Sequence, residues 1–123
     1  LANRNEFLEL EVTTEIHVRS QTMTGRQPAQ LAIAPDGQTV AIANRGSGSV
    51  TIATVDGTRL EEVDVPGPHP HGVVFGRDPT VAYVTYEGDT RTLGGVVAID
   101  VVTGALLWRR EIGSFTLGVD VLP

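Results

Sequence analysis

The chain has 123 residues, of which 41% are hydrophobic and 20% charged, and fifteen carboxylates against nine basic residues give a net charge of −6. That balance describes a folded domain with its own core, and it excludes a disordered chain, a nucleic-acid backbone as partner and adhesion to an anionic membrane surface. Lysine and cysteine are both absent, which removes Schiff-base chemistry, disulfides, thiolate metal sites and cysteine nucleophiles.

In chain order, Leu1-Ala2-Asn3-Arg4 reads as the end of a strand, and Leu8, Leu10 and Val12 alternate as the next one. A further strand is expected over residues 16–23, with His17 on an outer surface, ahead of Gly25-Arg26-Gln27-Pro28. Residues 28–66 then form a unit of four short strands, expected at 30–34, 39–43, 49–55 and 60–65. Pro35-Asp36-Gly37, the loop Asn44-Arg45-Gly46-Ser47-Gly48 and the hairpin signal Asp56-Gly57 separate them, and Pro66-Gly67 ends the unit. Residues 67–112 repeat this order, with strands after Pro70, at 81–85, 96–101 and 106–112, and extra loop residues at 88–95. Val97 and Ile99 are aligned with Val50 and Ile52, Thr103-Gly104 with Asp56-Gly57, and Trp108 is expected to pack between repeats.

The first strand of the repeat is spelled three times, starting at Pro28, Pro70 and Thr116, so the spacings are 70 − 28 = 42 and 116 − 70 = 46 residues. In each copy two apolar side chains alternate, so that they point to one face of the strand: Leu31 and Ile33, Val73 and Phe75, Val119 and Val121. A period near forty residues built from short strands signals a β-propeller. The expected fold is therefore all-β, with blades of four antiparallel strands amounting to three blades. Two are complete (28–66 and 67–112), and one is split between residues 1–27 and a first strand in 113–123. Three blades do not close a ring. The expected partner is the missing remainder of a larger propeller or a second copy, a dimer of the chain giving six blades. No apolar run approaches the ~20 residues that cross a bilayer, so membrane insertion is not expected.

Pro35-Asp36-Gly37, a strand ending in Asn44 and then Ser49-Val50-Thr51-Ile52 resemble the YVTN-type β-propeller repeat. Tyr83-Val84-Thr85 matches the first three letters of that signature, with Tyr86 in place of the Asn. Residues 95–100, with Thr103-Gly104 and Leu107-Trp108, also resemble a quinoprotein-type repeat. The first resemblance implies a periplasmic or extracellular binding protein. The second implies the propeller part of a metal- or quinone-dependent oxidoreductase. No complete cofactor signature of those families is present, so the sequence requires no cofactor.

Antiparallel order puts the loops before the first strand and between the second and third strands on one face of a propeller. Arg26, Arg45, His69, His71, Tyr86, Glu87 and Asp89 lie on those loops and are the candidate ligand-binding residues. His69 and His71, two apart on an extended backbone, would point to one side and could share a metal, with Glu87 and Asp89 as nearby oxygen donors. Gly46-Ser47-Gly48-Ser49 lacks the Lys and the helix that a phosphate-binding loop needs. Asp36, Asp56 and Asp78 fall in turns, and no nucleophile triad or paired carboxylates stand out. The functional expectation is a non-catalytic propeller module that binds a ligand or partner on its loop face.

Overall fold

The computed structural model describes residues 6–12, 16–23 and 25–113, with side chains from residue 25 onward. Leu1-Ala2-Asn3-Arg4 and the expected third first strand, at 117–122, lie outside the described residues.

Ten strands and no helix make up the described chain. β1 (Glu6–Val12) and β2 (Ile16–Met23) form an antiparallel two-stranded sheet. The first four-stranded sheet is β3 (Pro28–Ile33), β4 (Thr39–Asn44), β5 (Ser49–Thr54) and β6 (Leu60–Asp64), ordered as in the chain. The second is β7 (Pro70–Phe75), β8 (Val81–Tyr86), β9 (Gly94–Asp100) and β10 (Leu106–Gly113), also in sequence order. All pairs are antiparallel, so each sheet is a meander of hairpins. The turns use local side-chain chemistry: Asp56 accepts hydrogen bonds from the Thr58 amide and hydroxyl, and Asp78 does the same for Thr80. Gly57 and Gly104 take φ of 78° each, which an L side chain resists.

The core is the seam between the two sheets. Ala41, Ala43, Val50, Ile52 and Val65 come from the first sheet, and Val73, Phe75, Ala82, Val84, Val97 and Ile99 from the second. Fully burying one aliphatic side chain of this size contributes roughly 1.5–3 kcal/mol, so this double layer carries most of the apolar stabilisation. Arg59 and Arg109 cross the seam, donating to the carbonyls of Val101 and of Pro66.

One expectation about which side chains correspond between the sheets does not hold. Val50 pairs with Ala43 and Ile52 with Ala41, whereas the residues opposite the equivalent Thr85 and Tyr83 are Val96 and Ala98. Val97 and Ile99 therefore match Thr51 and Ala53, one place off the expected alignment, and a one-residue shift turns a strand over. The two residues face the first sheet. The same alternation divides the first-strand copies. Val73 and Phe75 are in the seam, but Leu31 and Ile33 are on the side of β3 away from the second sheet, 48% and 56% exposed. Ala32, between them, is the one that packs on the core.

Candidate functional site

The loops that precede each first strand meet the loops that follow each second strand, by the same hydrogen bonds in both sheets. The Arg45 amide donates to the Gln27 carbonyl at 2.9 Å, as the Glu87 amide does to that of His69. The Gly46 amide donates to Arg26 at 3.1 Å, and the Gly88 amide to Pro68 at 3.1 Å. Gln27 and His69, 42 positions apart, have φ of 51° and 60° and are the non-glycine residues at positive φ among those described. Each precedes a proline, which steers its neighbour toward extended backbone, and left-handed geometry costs a side-chain-bearing residue about 1–3 kcal/mol. The opposing loop's amide secures that conformation by bonding to the residue's carbonyl.

Glycine makes the close approach possible. A Cβ on Gly25 would lie 2.7 Å from the Asn44 side chain, and one on Gly67 would lie 2.1 Å from the Tyr86 ring. Sequence order thus gives both sheets one mouth backbone carrying different side chains.

On this frame Arg45 and Glu87 occupy equivalent positions, 87 − 45 = 42, in neighbouring sheets. The Arg45 Nε donates to Glu87 Oε2 at 2.8 Å, and Nη2 approaches Oε1 at 3.4 Å. The Arg45 side chain is 43% exposed and that of Glu87 12%. The hydrogen bond from Arg45 holds the Glu87 carboxyl below the usual glutamate range against the opposing effect of burial. The charges of Arg45, His71 and His69 act in the same direction as that bond. Four of the seven expected residues, Arg45, His69, His71 and Glu87, therefore converge electrostatically.

His69 Nδ1 lies 3.1 Å from the Gly88 carbonyl, so Nδ1 carries the proton in that contact. His71 Nδ1 is buried without a hydrogen-bond partner. Buried polar side-chain atoms are otherwise nearly always paired.

The other three residues are placed differently. Asp89 is exposed, and its Oδ1 accepts the amides of Arg91 and Thr92, both at 2.8 Å, so it closes its own loop. Those amides hold its carboxyl low. Arg26 is exposed beside this frame, with its amide donating to Ser47 Oγ at 2.6 Å. Tyr86 is buried in the seam beneath Gly67, and burial pushes its unpartnered hydroxyl upward in pKa. The histidine pair also departs from expectation. His69 is left-handed and its Nδ1 is engaged, so the extended backbone that would have aimed both rings to one side is not formed. Among the described residues, no group of three or more His, Asp or Glu is arranged to hold a metal.

Sequence reasoning missed Gln27 and Asn44. A Cβ on Gly46 would lie 2.8 Å from the Gln27 side-chain oxygen. Asn44 is fully buried, donates from Nδ2 to Ser49 Oγ at 3.2 Å and Thr51 Oγ1 at 2.8 Å, and leaves Oδ1 without a partner. Their 42-residue equivalence with His69 and Tyr86 was the available signal.

Comparison with known proteins supports the architecture. A protein of unknown function from Desulfotomaculum acetoxidans superposes with a TM-score of 0.67 at 19% identity, covering 92% of this chain and 37% of its own. Hydrazine synthase from Kuenenia stuttgartiensis superposes with a TM-score of 0.52 at 18% identity, covering 79% of this chain and 40% of its own. The chain thus spans about two fifths of the length of these neighbours, and at such identity the likeness is one of fold. No curated protein matches the sequence. The model of a family described as lactonase, 7-bladed β-propeller, matches residues 2–115, and the chain belongs to that family.

Proposed function

We propose that this chain is a non-catalytic binding segment of a propeller, and that its mouth takes a small oxygen-rich ligand. The family's name makes a lactone, or the hydroxy acid it opens to, the first class to test. The carrying observation is the buried, unpartnered His71 Nδ1 beside the Arg45–Glu87 pair. A neutral imidazole nitrogen can donate to or accept from a ligand oxygen, and the solvent-facing guanidinium of Arg45 has donors left over for a carboxylate. Glu87, held ionised by Arg45, orients that guanidinium. The remaining blades come from the rest of a larger propeller or from a second copy. The YVTN-like spelling of the repeats favours a periplasmic or extracellular setting. The metal- or quinone-dependent alternative draws no support from the left-handed His69.

The test is nuclear magnetic resonance titration of the purified chain with δ-valerolactone and 5-hydroxyvalerate. Amide shifts should concentrate at residues 69–71 and 87–88 and disappear in the His69→Ala/His71→Ala variant. Equal shifts in that variant would remove these residues from the site. Lactone hydrolysis faster than in buffer would replace the binding reading with a catalytic one.

A further inference from the structure

Glu87 occupies one edge of the Arg45 guanidinium and leaves another. Nε donates to Glu87 Oε2 at 2.8 Å and Nη2 approaches Oε1 at 3.4 Å, so the carboxylate sits on the side edge. A guanidinium holds five N–H donors in one rigid plane, and its end edge, formed by Nη1 and Nη2, is a second fork of the same kind. That end belongs to a side chain 43% exposed, whereas the Glu87 side chain that anchors it is 12% exposed. The backbone under the arginine is fixed as well, because the Arg45 amide donates to the Gln27 carbonyl. Arg59 and Arg109 differ, since each spends a donor on a carbonyl across the seam. Arg45 is thus a cation oriented by a protein carboxylate, with its end fork directed away from that carboxylate. His71, whose Nδ1 is buried without a partner, belongs to the same neighbourhood, because its charge acts on Glu87.

We propose that the mouth selects the ring-opened hydroxy acid, as its carboxylate, over the lactone. The end edge of Arg45 takes the two carboxylate oxygens, and His71 Nδ1 takes the hydroxyl. This deepens the binding reading above and rests on it. The fork decides between the two ligand forms. A carboxylate presents two equivalent charged oxygens at the spacing of two parallel N–H groups, whereas a lactone presents one carbonyl oxygen and one ring oxygen, both uncharged. Glu87 repels a second carboxylate, but across the width of the guanidinium, so the repulsion acts at longer range than the attraction. The remaining charges on these loops offset each other: Arg26 and Asp89 are both exposed, and Asp89 Oδ1 is spent on the amides of Arg91 and Thr92. Because Glu87 already holds the guanidinium in place, little side-chain freedom is lost when the acid binds.

Calorimetric titration of the purified chain with sodium 5-hydroxyvalerate, sodium valerate and δ-valerolactone at neutral pH tests the selection. Hydrogen bonds to a charged group carry the difference, so 5-hydroxyvalerate should bind about tenfold or more tightly than the lactone. Valerate, which lacks the hydroxyl, should bind about threefold more weakly than 5-hydroxyvalerate. Arg45→Lys keeps a cation for Glu87 but has no second edge, and should weaken 5-hydroxyvalerate about tenfold with an unchanged strand signal in circular dichroism. A lactone bound as tightly as the acid, or an Arg45→Lys chain that binds the acid like wild type, overturns the selection and leaves the mouth a binding site. Valerate bound as tightly as 5-hydroxyvalerate removes His71 from the contact. A wild-type chain that binds none of the three overturns the binding reading itself.

Discussion

Gly67→Ala isolates the close approach on which the mouth depends. Gly67 is not at positive φ, so the substitution tests space rather than backbone freedom. The added methyl would sit 2.1 Å from Tyr86 Cδ2 and 2.4 Å from Cγ and Cε2, where ordinary contact begins near 3.4 Å. The ring or the loop must therefore move by 3.4 − 2.1 = 1.3 Å. Tyr86 is almost wholly buried, with Gly95 on its far side, where a Cβ would lie 2.6 Å from the Tyr86 hydroxyl. The ring is therefore packed from both of these sides. Overpacking a closed site costs about 1–3 kcal/mol. At roughly 4–8 °C per kcal/mol for a domain of this order, the melting temperature should fall by about 5–20 °C. Gly57→Ala is the control, since Gly57 has φ 78° and no atom within reach of a Cβ, so it reports backbone strain alone. Thermal melts followed by circular dichroism compare both with wild type and with Gly67→Ala/Tyr86→Ala. The double variant should show a favourable coupling, because the second change removes what the methyl strikes. A Gly67→Ala protein that melts with wild type, or no coupling in the cycle, would refute the steric argument.

The Arg45–Glu87 pair should make part of the stability acid-sensitive. The Glu87 carboxyl is depressed in the folded chain, so its contribution is present above the unfolded carboxylate range and lost as pH falls through the folded value. Denaturant melts of wild type and Glu87→Gln should converge on going from about pH 7 toward about pH 3; a constant gap would show that the pair is not responsible. Exchanging the two as Arg45→Glu/Glu87→Arg should recover stability that either reversal alone loses, because the positions are equivalent; equal losses in all three would contradict a direct pairing. Asn44→Ala leaves the hydroxyls of Ser49 and Thr51 without the donor Nδ2 and should cost about 1–3 kcal/mol by urea unfolding. A loss of only a few tenths would mean that those groups find other partners.

The strands were legible because turn chemistry punctuates them. Asp56-Gly57 and Thr103-Gly104 end hairpins where the φ of Gly57 and Gly104 require glycine. β2 occupies the residues expected, and β10 gains only Gly113. What failed was the alignment of the third strands. Val96-Val97-Ala98-Ile99 is apolar at every position, so no alternation says which side is inward. The longer loop before β9 hides the count that would have fixed the register. Leu31 and Ile33 alternate as cleanly as Val73 and Phe75, but alternation cannot say whether a neighbour covers that side. At the mouth, the rule for residues preceding proline points to extended backbone at His69, and only hydrogen bonds from the opposing loop reverse it. The convergence of Arg45, His69, His71 and Glu87 was legible as shared loop position, whereas the burial of Tyr86 depends on packing between sheets.

The 42-residue equivalence separates what the scaffold demands from what it leaves free. Gly25 and Gly67 are the same because a side chain at either would collide with the residue below. Gln27 and His69 differ in side chain but share a left-handed backbone, so the strain belongs to the loop architecture and is not peculiar to a histidine site. Strain at His69 is consequently poor evidence of function, although a strained residue in a mouth loop ordinarily invites that inference. The unrepeated chemistry is more informative. Arg45 and Glu87 stand where identical side chains of like charge would repel, and Asn44 meets buried hydroxyls where Tyr86 meets Gly67 and Gly95. Opposite charges at one repeat position can pair between neighbouring sheets where like charges could not. The unrepeated positions thus carry the contact between the two sheets, with Glu87 clamping Arg45 on one side and feeling the charges of the two histidines on the other.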